Sequence, residues 1–513
     1  MKSAKSPNGL IKVACTVTKT YNRIRSHHED LQSWTSHRHS ALVNSQNIAM
    51  CLSSSCSFVL FHFLPCIFAS SFAGSKHLTL SRRSTYTAAN ITSPLLATTF
   101  GAIFDVNVTI GNQTLPLTVD TGSSDLWVVR TDYECFNLTD GTHLSQGSCL
   151  FGSATYTPTS TYSEVEGQDF GVQYGAGVAS GNMAIEQVTL AGITVPSQKI
   201  GVVNQSTPLG DGVGSGLIGL AYPALTSAHP SNDTDNSTFV YDRLPYTPLL
   251  FSMAKQGLIK PYFSMALART PQNTTSGFGG YLSLGGLPPV NHTGNFTTVA
   301  VETTNSIPLN VTSNTPGPSY WSFTLSGVAY GLDNSSNLST TTTRFQAFMD
   351  SGNYFTYLPS SIIEPVNALF SPAAVLDPST GIYMVDCSAT PPHFGLIIGN
   401  DTFFHNGRDL IFQTGAGQCA SNLAISQRLS PELPEFNVIG EPFLKNVLSV
   451  YDFGKNELSF AKLTGEVVEG APGGVVAEAG ENGAMRSIVS RAAWGWKLFI
   501  MVLLILVTKM GLF

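Results

Sequence analysis

Charge is scarce in this chain. Of its 513 residues only 12% are Asp, Glu, Lys or Arg, against roughly 25% in an ordinary soluble protein. The scarcity is uneven: residues 84–480 hold 30 acidic and 12 basic side chains, a net of −18, while the flanks hold 3 acidic and 14 basic ones. A body with so few Lys and Arg has no basic stripe to neutralise phosphates, which argues against nucleic acid as a partner. Long apolar runs are missing as well. Residues 57–68 and the uncharged stretch 498–508 both fall short of the roughly 20 residues of a membrane-spanning helix. Cysteine is sparse. Cys15, Cys51, Cys56 and Cys66 lie near the start, leaving Cys135, Cys149, Cys387 and Cys419 for the body. Those four admit three pairings. No histidines stand at ligand spacing beside them, so no metal site is expected.

What is abundant is Ser, Thr, Asn and Gly, a composition that suits an all-β secreted protein. Asn-x-Ser/Thr sequons occur at Asn90, Asn107, Asn112, Asn137, Asn204, Asn232, Asn236, Asn273, Asn291, Asn295, Asn310, Asn334, Asn337 and Asn400. All follow Ser84, a clustering that favours the secretory pathway. The ends fit that route. Met50 precedes the apolar run 57–68, which is followed by Ser71-Phe72-Ala73, so residues 50–73 read as a signal peptide. Residues 1–49 then read as an extension of the gene model or a cytosolic segment, a type II signal anchor from Met1 being the alternative. Residues 74–83 form a short propeptide ending in the dibasic pair Arg82-Arg83. At the other end, residues 465–484 read as a linker rich in Gly, Ala, Val and Glu. They end on the small triplet Asn482-Gly483-Ala484 and give way to a spacer and an apolar tail at 485–513. These are the ingredients of a glycosylphosphatidylinositol-attachment signal, with a transmembrane tail as competitor. The expected location is outside the cell or on its surface, membrane-anchored by lipid or helix, with the vacuole as alternative.

The middle of the chain reads as strands. From Phe104 to Ile110 apolar and polar residues alternate, Gly111-Asn112-Gln113-Thr114 supplies turn chemistry, and Leu115, Leu117 and Val119 alternate again. They deliver the chain to Asp120, which opens the run DTGSSDLWVV. Gly122 permits a tight turn, and Thr121 and Ser123 offer hydroxyls to hold a carboxylate. Far downstream the pattern recurs, with Ala347-Phe348-Met349 leading into Asp350-Ser351-Gly352. Each turn is followed later by two apolar residues and a glycine, Leu217-Ile218-Gly219 and then Val438-Ile439-Gly440. The spacing predicts a duplicated lobe with approximate two-fold symmetry, one aspartate from each half.

On these motifs the chain resembles the pepsin-like aspartic proteases over residues 95–463. The resemblance implies an all-β bilobal fold with a few short helices, its lobes at 84–297 and 298–464, flanking a cleft with Asp120 and Asp350 at its floor. It implies an endopeptidase that hydrolyses proteins and peptides at acidic pH, as a monomer and without a cofactor. Like carboxylates held close together cannot both ionise, so the pair shares a proton; pepsin itself is the standard illustration. Thr121, Gly122, Ser123, Ser351, Gly352 and Asn353 would support the dyad. Gln173-Tyr174-Gly175-Ala176-Gly177 resembles the hairpin that closes over substrate, with Tyr174 at its tip and Trp127 as its indole partner. Cys135–Cys149 and Cys387–Cys419 are the pairings that the family implies.

Three positions depart from the pattern. Asn353 stands where a Thr or Ser hydroxyl is usual, Glu441 replaces an Asp, and Ala176 replaces a hydroxyl residue of the hairpin. Asn353 can still donate through its amide, so altered dyad pKa values are expected and not loss of activity. The rival reading is a pepsin-like protein that has lost catalysis and serves as a binding or inhibitor module. A glycan-rich wall adhesin would explain the sequons but not the repeated aspartates.

Overall fold

The computed structural model describes residues 91–470 apart from 232–238, 240, 241, 272, 273, 306, 308, 313, 315, 333–337, 416 and 430–435. The proposed signal peptide, propeptide and tail signal, and most of the linker, lie outside the described residues. Strands dominate. The longest described helix, Ser360–Asn367, has 8 residues, and no described helix is long and apolar enough to cross a membrane.

The strands form where the alternation placed them. Ile103–Ile110 and Gln113–Asp120 pair antiparallel around a two-residue turn, Ile110 facing Gln113. Gly111 at φ 60° supplies the positive φ that such a turn requires. Val106, Val108, Ile110, Leu115, Leu117 and Val119 are all buried, and Asn107 is exposed. Asp105 is the exception. It shares the polar phase with Asn107 yet is 1% exposed, because the loop 207–215, which brings Gly214 against its carboxyl, covers that end of the hairpin.

The internal repeat appears as two equivalent pairings. Val119 and Asp120 lie parallel to Ile218 and Gly219, and Phe348 and Met349 lie parallel to Val438 and Ile439. Each glycine is required by close approach. A Cβ on Gly219 would sit 2.5 Å from the Asp125 nitrogen, and one on Gly440 would sit 2.2 Å from the Phe355 carbonyl oxygen. So each turn that follows an aspartate is pressed against the glycine of its own half.

The halves are not separate beads. The hairpin of Val447–Asp452 and Glu457–Lys462 returns from the second half into a 15-stranded sheet of the first. Val447–Asp452 pairs with Tyr262–Leu267, and Glu457–Lys462 with Thr297–Ala300, the strand in which the expected lobe boundary falls. At this junction Phe263 stacks on Tyr451 with ring centroids 4.6 Å apart. Trp321, wholly buried, donates its indole N–H to the Leu220 carbonyl at 3.0 Å. Disulfides join Cys135 to Cys149 and Cys387 to Cys419. Closing loops of 14 and 32 residues stabilises each by about 3 kcal/mol in the chain-entropy account.

The first residues of the expected linker are held against this body. Val467 is buried, the Tyr281 hydroxyl donates to the Val468 carbonyl and accepts from the Gly470 amide, and Glu466 lies 3.4 Å from Arg269. Arg269 also grips Asp409 through Nε at 2.8 Å and Nη2 at 2.6 Å, with both side chains largely buried. Removing one partner of such a pair strands a buried charge. Arg269→Met is therefore expected to lower unfolding free energy by about 3–5 kcal/mol, and Arg269→Met with Asp409→Leu by less. Urea unfolding of the two variants checks this, and equal losses would contradict it.

Candidate active site

Both aspartates end a buried strand and enter a Gly-containing turn, and the two turns meet. Thr121 and Ser351 link them reciprocally. The Thr121 amide donates to Ser351 Oγ at 3.1 Å, and the Ser351 amide to Thr121 Oγ1 at 2.9 Å. Each hydroxyl then donates across to the other half, Thr121 Oγ1 to the Met349 carbonyl and Ser351 Oγ to the Val119 carbonyl. All four groups are buried, so each bond satisfies a polar atom that water does not reach.

Above this crosslink the carboxyls converge. A Cβ on Gly122 would fall 2.6 Å from the Asp350 carboxyl carbon, and one on Gly352 would fall 2.8 Å from Asp120 Oδ1. Only glycine fits at either place. Gly122 N–H donates to Asp120 Oδ1 at 2.7 Å, and Gly352 N–H to Asp350 Oδ1 at 2.9 Å. Ser123 Oγ donates to Asp120 Oδ2. The Asn353 Oδ1 accepts from the Phe355 amide, and the Asn353 side chain acts to lower the Asp350 pKa. The two carboxyls thus lie against each other across these glycines, and each perturbs the ionisation of the other. Burial raises the pKa of Asp120, against the bonds from Ser123 and Gly122. Burial, and then the charge of Asp120, hold Asp350 well above the carboxylate range. The arrangement can retain a proton between two acids and accept or donate it at one face.

That face opens into a cavity of about 430 Å³. The hairpin of Ser163–Tyr174 and Gly177–Leu190 borders it, turning at Gly175-Ala176. The Tyr174 hydroxyl accepts from Trp127 Nε1 at 2.9 Å, which holds the ring on the cavity that Asp120 and Ser123 also line. The structure thus brings together every dyad, support and hairpin residue singled out in the sequence. Glu441 sits behind them. Its amide donates to the Asn353 carbonyl, and its buried carboxylate meets Lys445 Nζ at 2.5 Å.

Sequence reasoning passed over four neighbours. Asp125, inside the first motif, is wholly buried and accepts from the Ser227 amide and the Tyr246 hydroxyl at 2.8 and 2.7 Å. Arg243 and Tyr320 border the same cavity. Asp125 could have been questioned from its place in the motif. Tyr246, Arg243 and Tyr320 gave no signal, because the contacts that define them cross more than a hundred residues. Among the described residues no group of three His, Cys, Asp or Glu is placed to hold a metal ion.

Comparisons with known proteins agree with this geometry. Residues 103–463 match the family model of the eukaryotic aspartyl proteases. The chain is 39% identical over 364 residues to a probable aspartic-type endopeptidase of Aspergillus fumigatus, covering 70% of this chain and 79% of that one. It is 27% identical over 375 residues to penicillopepsin-3 of Penicillium janthinellum, covering 72% and 80%. Its fold matches the crystal structure of an aspartic proteinase from Irpex lacteus with a TM-score of 0.54 at 22% identity, over 73% of this chain and 97% of that one. The chain belongs to the eukaryotic aspartyl protease family. It is an aspartic-type endopeptidase, and its substrates are proteins and peptides.

The Thr121–Ser351 crosslink makes a testable demand. Thr121→Val leaves the Met349 carbonyl and the Ser351 amide buried without partners, at a cost of about 1–3 kcal/mol. Thr121→Ser, which keeps the hydroxyl, should cost clearly less. Thermal unfolding of the pair checks this, and equal midpoints would show that the hydroxyl is dispensable.

Proposed function

We propose that Asp120 and Asp350 share one proton and hydrolyse peptide bonds at acidic pH by activating a water molecule between them. The observation that carries this reading is the convergence of the two carboxyls, each crowding the glycine of the opposite turn. One carboxylate takes a proton from the water as it attacks the peptide carbonyl, and the other, protonated, donates to the carbonyl oxygen. The proton positions belong to the pair and not to either residue. Ser123 and the Gly122 amide, donating to Asp120, and the Gly352 amide, donating to Asp350, hold the carboxyl planes facing the cavity.

In this reading Tyr174 closes over bound substrate and excludes water, as mobile lids do. Its bond to Trp127 holds the ring at the hairpin turn beside the dyad. The cavity walls are largely apolar, which favours apolar side chains beside the scissile bond. Passage through the secretory pathway is part of the same proposal. The described sequon residues Asn107, Asn112, Asn137, Asn204, Asn291, Asn295 and Asn400 are all at least partly exposed, so each can carry a glycan without disturbing the core. Removal of N-glycans by endoglycosidase should increase the gel mobility of the secreted protein, and unchanged mobility would count against that route.

Activity on a denatured protein should follow an acidic bell. It should fall on the acid side when the shared proton is joined by a second, and on the alkaline side when the pair loses its last proton. Asp120→Asn and Asp350→Asn should each abolish nearly all turnover with the fold retained. In the same assay Tyr174→Ala should lower kcat/KM far more than Tyr174→Phe. A folded Asp350→Asn variant of near-normal activity would sink the mechanism.

A further inference from the structure

A second pair of aspartates lies beside the cavity. Asp105, on the strand Ile103–Ile110, is 1% exposed. Its Oδ1 accepts from Thr118 Oγ1 at 2.8 Å, whereas its Oδ2 is buried with no hydrogen-bond donor. Asp211 lies on the loop that follows Ile193–Ser206 and is well supplied with donors. Its Oδ1 accepts from the Val213 and Gly214 amides at 2.9 and 2.7 Å, and its Oδ2 accepts from Thr98 Oγ1. The two side chains converge over Gly214, whose Cα–H points to a spot 3.3 Å from Asp105 Oδ1 and 3.3 Å from Asp211 Oδ1.

The donors decide which acid carries a proton. Three donors make Asp211 the acceptor of the pair. Asp105 Oδ2, dry and without a donor, is the natural place for a hydroxyl. A buried carboxyl without a donor is costly if ionised and satisfied if it donates. Among the described residues no Lys or Arg forms an ion pair with either aspartate. Burial and the charge of Asp211 push the Asp105 pKa well up. The other groups facing the pair are the Thr98 and Thr118 hydroxyls, and the charge of Asp211 also reaches the Tyr354 ring system across the cavity.

We propose that Asp105 is a positioning residue: its protonated carboxyl donates to the Asp211 carboxylate and so fixes the loop 207–215 as one wall of the substrate cleft. Leu209, Gly210, Asp211 and Gly214 of this loop line the cavity, as do Gly216 and Leu217 just beyond it. The proposal rests on the reading of that cavity as the substrate cleft. The contact is complete below the ordinary aspartate range, where the acid is protonated. It is lost as pH rises through the raised Asp105 value, because two adjacent carboxylates then repel. The wall is firm in acid and loosens towards neutrality.

Asp105→Asn separates this from a merely structural role, because the amide donates to Asp211 at every pH. Asp105→Leu removes the donor altogether. Peptide hydrolysis is measured against pH, together with hydrogen exchange of the Val213 and Gly214 amides corrected for intrinsic rate. The Leu variant should raise KM about tenfold in acid with kcat little changed. The Asn variant should keep the wild-type KM in acid and hold both KM and amide protection at higher pH, where the wild type loses them. If wild type and Asn variant lose protection over the same pH range, the shared proton is refuted, and this comparison stands even if the Leu variant does not fold. A folded Leu variant with unchanged KM and protection would equally overturn the proposal. If no form cleaves peptide, the cleft reading fails while amide exchange still decides the contact.

Discussion

Two like carboxyl groups held in contact inside a protein repel unless a proton is shared and the backbone beneath them cannot yield. That constraint organises this fold. The reciprocal Thr121 and Ser351 bonds fasten the turns to each other, and their outward bonds fasten each turn to the opposite strand. Breaking any one leaves a buried polar group without a partner, so the crosslink fails as a unit or not at all. Below it, each turn is backed by a parallel strand whose glycine admits the turn's backbone. The glycines at 122 and 352 complete the approach from above. No side chain intervenes between the two acids, because none can.

A crosslink at one point would act as a hinge if the halves met nowhere else. They meet in a sheet. The returning hairpin of residues 447–462 pairs on one edge with Tyr262–Leu267 of the first half and on the other with Thr297–Ala300, where the halves join, so rotation of one half would break a ladder of backbone bonds. The Trp321 indole on the Leu220 carbonyl and the Arg269–Asp409 pair add two further ties between the halves. Three separated attachments fix an orientation where one would not. The precision at the carboxyls is thus set by contacts far from them in sequence.

This division explains what could be read in advance. Strand alternation before Asp120, the repeated Asp-Thr/Ser-Gly turns and the repeated apolar pair with glycine are local patterns. They carried the fold, the dyad and its hydroxyls. The hairpin ending at Tyr174 was legible through its resemblance to a family and not through any pattern of its own. The burial of Asp105 was not legible, because alternation reports only which face of a strand a residue occupies. Whether that face is covered depends on a loop more than a hundred residues later. Residues 465–470 read as a tether because Gly and Glu predominate there, yet Tyr281 and Arg269 supply partners that composition does not reveal.

The buried acids divide by their donors: Glu186, held by the Thr161, Thr159 and Tyr156 hydroxyls, is lowered, whereas most of the others are raised. Burial raises Asp105, Asp120, Asp125 and Asp350 above the ordinary aspartate range. It raises Glu441 to about 7 despite Lys445. A group whose pKa is raised on folding binds its proton more tightly in the folded chain, so its contribution to stability is full below the unfolded value and disappears as pH rises through the folded one. His405, buried and lowered to about 4, acts the other way and weakens the fold as pH falls below its ordinary value. The acids that hydrogen bonds hold low, Asp132, Asp140, Glu186, Asp377 and Asp386, act in the same sense as His405, losing their contribution as pH falls. The scarcity of Lys and Arg in the body bears on the raised set. With few cations available to pair them, the raised acids are neutralised by protons instead, and protons are plentiful in acid, the condition that the proposed activity requires.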